Sequence, residues 1–372
     1  MAFWGPFGLL LITAALLLLP VAPALIELHE RTDAAPLLTS SHDGRIVNFA
    51  DAFHARLEPL RPQFELCRHN EELVQVSIAG MNVLLVGRDD FHFLPDELKS
   101  ISAVMCAHAL IPAKQVLETD IHAQKTLELG ESAAVRAALS GGDIILRRNS
   151  TAFRWLHANG NIYLLEGSSA FGRLSARHSI HLEPGCAFEH MFAPQIITTG
   201  SYDEDPADEL FKPHAPHANA LHAGVRQLNP HSRRVSANAG HVFVPSRPRL
   251  RVQGDFVLDP GETMNANVIA TGEIRLGAGS RFLGSAKGYH DVDIEEGASV
   301  HGSIVCGGNL RLGPRSFVAG PIMAEGNARI ARGSRIGSPE SLTTISVNAA
   351  QIATGCTLHG TCWARAGGKI EG

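Results

Sequence analysis

The sequence predicts an all-β chain: a parallel β-helix (β-solenoid) of about 18-residue coils, preceded by an N-terminal transmembrane helix. Three observations carry the prediction. The first is an 18-residue period. Taking Gly142, Gly160, His178, Gly254, Gly272, His290, Gly308 and Gly326 as position 0, position 4 is Leu146, Leu164, Leu182, Leu258, Leu276, Ile294, Leu312 and Ile330. Position 2 is apolar in all eight segments, from Ile144 to Ala328. Position 10 is equally apolar: Ala152, Ala170, Phe188, Met264, Phe282, Val300, Val318 and Ile336. The second observation is glycine, 36 of 372 residues and present at position 7 in six of the eight segments. Glycine adopts the positive φ that the corners of a tight coil require. The third is composition: 45% hydrophobic but only 6% aromatic and 19% charged, which suits short strands joined by tight turns.

The period dictates the architecture. Positions 2 and 4 share one face of a strand, as do 14 and 16. Three short strands and three corners complete one coil. Stacked coils pair in parallel and bury the columns at positions 2, 4, 10 and 14 in one continuous core. A single coil cannot bury its own face, so the array is stable only as a stack.

The elements follow in chain order. Met1 to Ile26 carries no charged side chain, and its 20-residue apolar run from Phe7 is long enough to span a bilayer. Ala22-Pro23-Ala24 resembles a signal-peptidase site, but the positively charged leader is missing. Residues 1–27 are therefore read as an anchor with Trp4 at its interface. Arg31, Arg45, Arg56 and Arg61 follow the span, which places the C-terminal bulk in the cytoplasm of a single-pass inner-membrane protein. Residues 28–112 read as a polar juxtamembrane linker, an amphipathic helix over 46–60 and two short strands around Ala79-Gly80. The helix carries Phe49, Phe53 and Leu57 at fourfold spacing and ends before Pro62. Residues 95–110 fit a short helix or irregular strands. The first part of the β-helix covers 113–196 and the second 248–372, interrupted by a His-rich surface loop over 197–247. After Ser338 the frame slips by about four residues and resumes with Ile352, Gly355, Leu358, Gly360 and Cys362.

The coils GEIRLGAGSRFLGS, DVDIEEGASVHGSIV and GNLRLGPRSFVAG resemble those of the bactofilins, the bacterial polymer-forming cytoskeletal proteins. The resemblance is clear over 248–372 and looser over 126–196. It implies a right-handed β-helix, end-to-end polymerisation without nucleotide, and membrane association through an N-terminal segment. The chain departs from the family pattern in its apolar span, its longer N-terminal part and its interrupted β-helix. The expectation is a non-enzymatic scaffold without cofactor or metal. Its partners would be itself, the membrane and envelope-associated proteins. Self-association is expected through the C-terminal coil, where Ile370 begins a coil that never completes.

The remaining residue patterns bear on other chemistries. A net charge of −5 and a pI near 6.4 argue against a general nucleic-acid binder. No P-loop, dinucleotide fingerprint, nucleophile elbow or HExxH is present. LGAGSR (276–281), LGPRSF (312–317) and IARGSR (330–335) also fit the six-residue unit of hexapeptide acyltransferases. Those enzymes need a catalytic His, for which His290 and His301 are candidates without an evident carboxylate partner. His214, His217, His222, His231 and His241 gather in the insertion and could ligate Zn or Ni, but read more simply as loop residues. Asp203-Glu204-Asp205 lacks a Ca²⁺-loop pattern, and Arg233-Arg234 reads as a solvated or partner-facing pair. A monomeric binding module using the 197–247 insertion is the alternative function. The six cysteines form no CxxC and are expected as free buried thiols, Cys306 and Cys362 on inward columns.

Overall fold

The three apolar columns of the repeat all point inward. Every residue of positions 2, 4 and 10 is buried, Met264 being the most exposed at 9%. The computed structural model describes residues 46–88, 98–199 and 248–372, with Gly8, Thr13 and Leu17 as isolated positions. The chain divides into two units, Met1–Arg45 and Ile46–Gly372, and the second contains the fold described below.

That unit begins with two helical segments, α1 (Asn48–Leu57) and α2 (Arg61–His69), joined by a 3₁₀ turn over Glu58–Leu60. The expected stop before Pro62 does not occur. Pro59 and Pro62 each fall in the first two positions of a new segment, where a missing N–H has no intrahelical partner to lose. The apolar stripe continues from Phe53 and Leu57 to Leu60, Phe64 and Cys67. It packs on Val83, Leu85, Met105, Leu139 and Trp155, which face outward from the solenoid wall. Phe49, the first residue of the stripe, is 44% exposed and lies under the Arg173 guanidinium. An antiparallel hairpin follows, β1 (Leu73–Ile78) and β2 (Met81–Val86). Its two-residue turn places Ala79 and Gly80 at φ 47° and 77°, the double positive φ of a tight hairpin. The ambiguous stretch 95–110 ends in a strand, β3 (Ala103–Ile111).

The first stack comprises β3, β4 (Val116–Leu129), β5 (Ala134–Ser140), β6 (Ile144–Leu146), β7 (Thr151–Ala158), β8 (Ile162–Leu164), β9 (Ser169–Ala176), β10 (Ser179–Leu182) and β11 (Ala187–Thr198), all paired in parallel. One inward position departs from the period. A bulge between Phe188 and His190 shifts β11 by one residue, so Met191 and Ala193 point into the core and Phe192 does not. The second stack opens with β12 (Arg249–Val252), β13 (Phe256–Leu258) and β14 (Thr263–Met264). Twelve short strands, β15–β26, continue it over 267–336, and β27 (Thr343–Val347), β28 (Ala350–Ala353) and β29 (Thr357–Glu371) close it. The frame slip is real: Ile330 pairs with Ile352, four residues beyond the period. Corners are braced by a side-chain ladder. Asp255 accepts from the Glu273 N–H at 3.0 Å, Asp291 from Asn309 at 2.6 Å, and Asn309 from Asn327 at 3.0 Å.

Two expectations are corrected. Among the described residues no helix is long and apolar enough to cross a membrane. The helical run 48–69 is broken by two prolines and carries Asp51, Arg56, Glu58, Arg61, Glu65 and Arg68, charges a bilayer core does not accommodate. This overturns the transmembrane helix and with it the single-pass inner-membrane placement; the anchor assigned to 1–27 otherwise lies outside the described residues. Secondly, the C-terminal coil is not an open end. Ile370 is fully buried in β29, which pairs along its outer edge with β11.

The inward and outward faces make a direct test. Ile336 is fully buried and Arg311 is exposed. Ile336→Asp is expected to unfold the stack, since an unpaired buried charge costs several kcal/mol. Arg311→Glu is expected to stay within about 0.5 kcal/mol of the parent. Thermal melts followed by circular dichroism separate the two, and equal losses would contradict the face assignment.

Candidate functional site

The feature that sets this solenoid apart is where its two stacks meet. Within each stack the strands are parallel, yet β11 and β29 pair antiparallel. Each is the last coil of its own stack, so the stacks join tail to tail. A two-fold rotation perpendicular to the stacking axis relates such ends, and it reverses strand direction at the join. The polypeptide leaves the first stack at this seam and re-enters at the far end of the second. Residues 200–247 therefore connect points separated by roughly 30 Å, at about 4.8 Å per coil. The interruption read as an inserted loop is the connection that this reversal requires.

The seam is closely fitted. Opposed pairs include Met191 with Cys362, Ala193 with Gly360, Ile196 with Leu358 and Ile197 with Thr357. Phe188, Met191, Ala193, Ile196, Cys356, Leu358, Cys362 and Ile370 are all 2% exposed or less. A Cβ at Gly368 would lie 2.2 Å from Phe188 Cζ, so only glycine leaves room for that ring. Thr198 clamps one end. Its N–H donates to the Cys356 carbonyl at 3.0 Å and its hydroxyl to the Ala353 carbonyl at 2.8 Å. The same oxygen accepts the Cys356 N–H at 2.8 Å. His359 Nδ1 carries the proton it donates to the Pro194 carbonyl at 2.8 Å, and His190 meets Trp363 edge to face.

All six cysteines are free and buried. Burial pushes Cys186, Cys306 and Cys356 up to about 11 and Cys362 up to about 12. A thiol so placed is not a thiolate at neutral pH and packs as a small apolar group.

A cleft of about 360 Å³ lies where α1 and α2 cross the first stack. The helices bring Asp51, His54, Glu58, Arg61 and Glu65 to one wall, and the solenoid brings His122, Gln124, His157, Asn159 and Arg177 to the other. Strand register explains the second wall: Met105, His122, Leu139 and His157 stand in one outward column. Glu58 is shared by His54 at 3.4 Å and Arg61 at 3.3 Å, and Gln124 donates to Glu65 at 3.4 Å. His157 Nδ1 lies 2.8 Å from Ser175 Oγ. His122 stands apart from these. It is 7% exposed, its Nδ1 is buried without a hydrogen-bond partner, and its ring meets that of His54 edge to face at 5.7 Å. Burial, reinforced by His54 and opposed by Glu58, brings its pKa down to about 4. Burial also lowers that of His157.

Of the histidines proposed from sequence, two lie among the described residues. His290 is an exposed corner residue, and His301 packs edge-on against Phe317. His214, His217, His222, His231, His241, Asp203, Glu204, Asp205, Arg233 and Arg234 lie outside the described residues. Among the described residues no group of three His, Cys, Asp or Glu side chains is placed to hold a metal.

No family model, curated protein or solved structure matches this chain. The resemblance to the bactofilins rests on the repeat alone.

His122 carries a pH signature. Its folded pKa of about 4 lies below its ordinary value of 6.5. Above pH 6.5 neither state binds the proton, and below about 4 both do. In between only the unfolded chain is protonated, so stability falls as the pH drops through this window, by about 3 kcal/mol in total. Chemical denaturation at stepped pH is expected to show this fall, and His122→Phe to flatten it. An unchanged slope in the variant contradicts the assignment.

Proposed function

We propose that this chain is a non-enzymatic β-solenoid scaffold of the bactofilin kind, associating with further copies of itself through coil edges and without nucleotide. The observation that carries the reading is the β11–β29 seam, in which two coil stacks join by antiparallel edge pairing over a dry core. The seam uses both C-terminal coils, so self-association must use the N-terminal ones. At the head of the second stack, β12, β13 and β14 pair among the described residues on one side only, with strands at 267–270, 274–276 and 281–282. The Phe256 N–H donates inward to the Glu273 carbonyl, so the N–H of Val257 is directed outward. The Val252 carbonyl accepts inward from Thr271, so the backbone groups of Arg251 are directed outward too. Two copies meeting head to head would repeat the seam's geometry. The head of the first stack is different, because the β1–β2 hairpin extends it.

Sedimentation velocity and negative-stain microscopy of the full chain, with no nucleotide added, test this reading. Head-to-head dimers are expected as the smallest assembly, because a two-fold contact closes on itself. Combining Arg251→Pro with Val257→Pro removes two outward N–H groups while sparing the inward bonds, since proline is tolerated at strand edges. That variant is expected to lose association and keep its melting temperature within a few degrees. A parent that stays monomeric, or assemblies indifferent to both prolines, would overturn the proposal. Discrete trimers would favour the hexapeptide-repeat enzyme instead.

A further inference from the structure

We propose that the cleft between the two helices and the first stack binds a neutral, polyhydroxylated ligand of about one sugar ring. Three observations lead there, none dependent on the scaffold reading. The first is size: about 360 Å³ falls at the small end of ligand pockets, roughly 300–1,000 Å³. The second is charge. Asp51, Glu58 and Glu65 are offset by Arg61 on the same wall and Arg177 on the other, and Glu58 is already engaged by His54 and Arg61. No single-sign field remains to hold a phosphate or a cation.

The third observation is the shape of the polar groups. The amides of Gln124 and Asn159, the Asp51 carboxylate and the Arg177 guanidinium are planar, each offering two adjacent hydrogen-bonding positions. Such pairs match neighbouring hydroxyls on a ring, because each hydroxyl both donates and accepts.

Saturation-transfer NMR on the full chain with glucose, galactose and mannose tests the proposal, with glucose 6-phosphate and glucosamine as charged controls. At least one neutral sugar is expected to receive saturation, and to bind better than its charged counterpart. Gln124→Leu, at a half-buried position in the cleft wall, is expected to weaken that binding about tenfold, the effect of one lost hydrogen bond. Asn159→Leu, at a half-buried rim position, is expected to weaken it similarly and guards against misfolding of the first variant. Thermal melts establish that each variant is folded. Silence from all three neutral sugars, preference for a charged control, or equal binding in both folded variants would each overturn the assignment.

Discussion

A β-coil directs half of its strand hydrogen-bonding groups each way along the stacking axis, and the outward half of the last coil must find partners. In this chain each C-terminal coil satisfies the other. Much else follows from that constraint. Antiparallel pairing between two otherwise parallel stacks requires a two-fold relation. The two-fold relation sends the second stack back toward the first, and that return requires a long connection between Thr199 and Pro248. The matched irregularities of β11, at Phe188/His190 and at Ala193/Ile196, are where two independently wound coils accommodate each other's register.

The interior of each stack is uniform by comparison. Mostly aliphatic side chains stand above one another in columns, with Phe256 and Phe282 meeting edge to face in the second stack, and coil-to-coil burial is repeated rather than concentrated. A defect in any coil therefore removes support from both neighbours. Among the described residues, only the seam combines a large ring, Phe188, with a glycine that admits it, Gly368. The cysteines belong to the same pattern of small apolar groups in a dry interior. Their raised pKa values are a consequence of burial and not of any reactive setting.

The columns, the hairpin at Ala79-Gly80, the frame slip after Ser338 and the inward cysteines were legible because each is a local pattern. The direction of the second stack was not, since an 18-residue period reads the same whichever way its coils pile up. The bulge that turns Met191 inward in place of Phe192 was equally silent, because both residues are apolar. Proline at 62 misled for a definable reason: it signals a stop inside a helix and a start at its first turn, and here it starts one. Of the cleft almost nothing was legible. His54 and His122 lie on different elements and approach only after the helices fold across the outer wall, so no spacing announces them. The apolar N-terminus shows the converse, a strong local signal without a described structural counterpart.

The joined stacks depend on the tail-to-tail seam, and its register is open to a direct chemical test. Ile197 and Thr357 are opposed across it, both half-buried. Directly opposed antiparallel residues lie close enough for a disulfide, with Cα atoms about 4.5–5.5 Å apart. The measurement is mild oxidation of the Ile197→Cys, Thr357→Cys variant, followed by non-reducing electrophoresis and peptide mass mapping. The seam predicts a cross-link within one chain joining positions 197 and 357. A cross-link formed only between chains, or none at all, would contradict it.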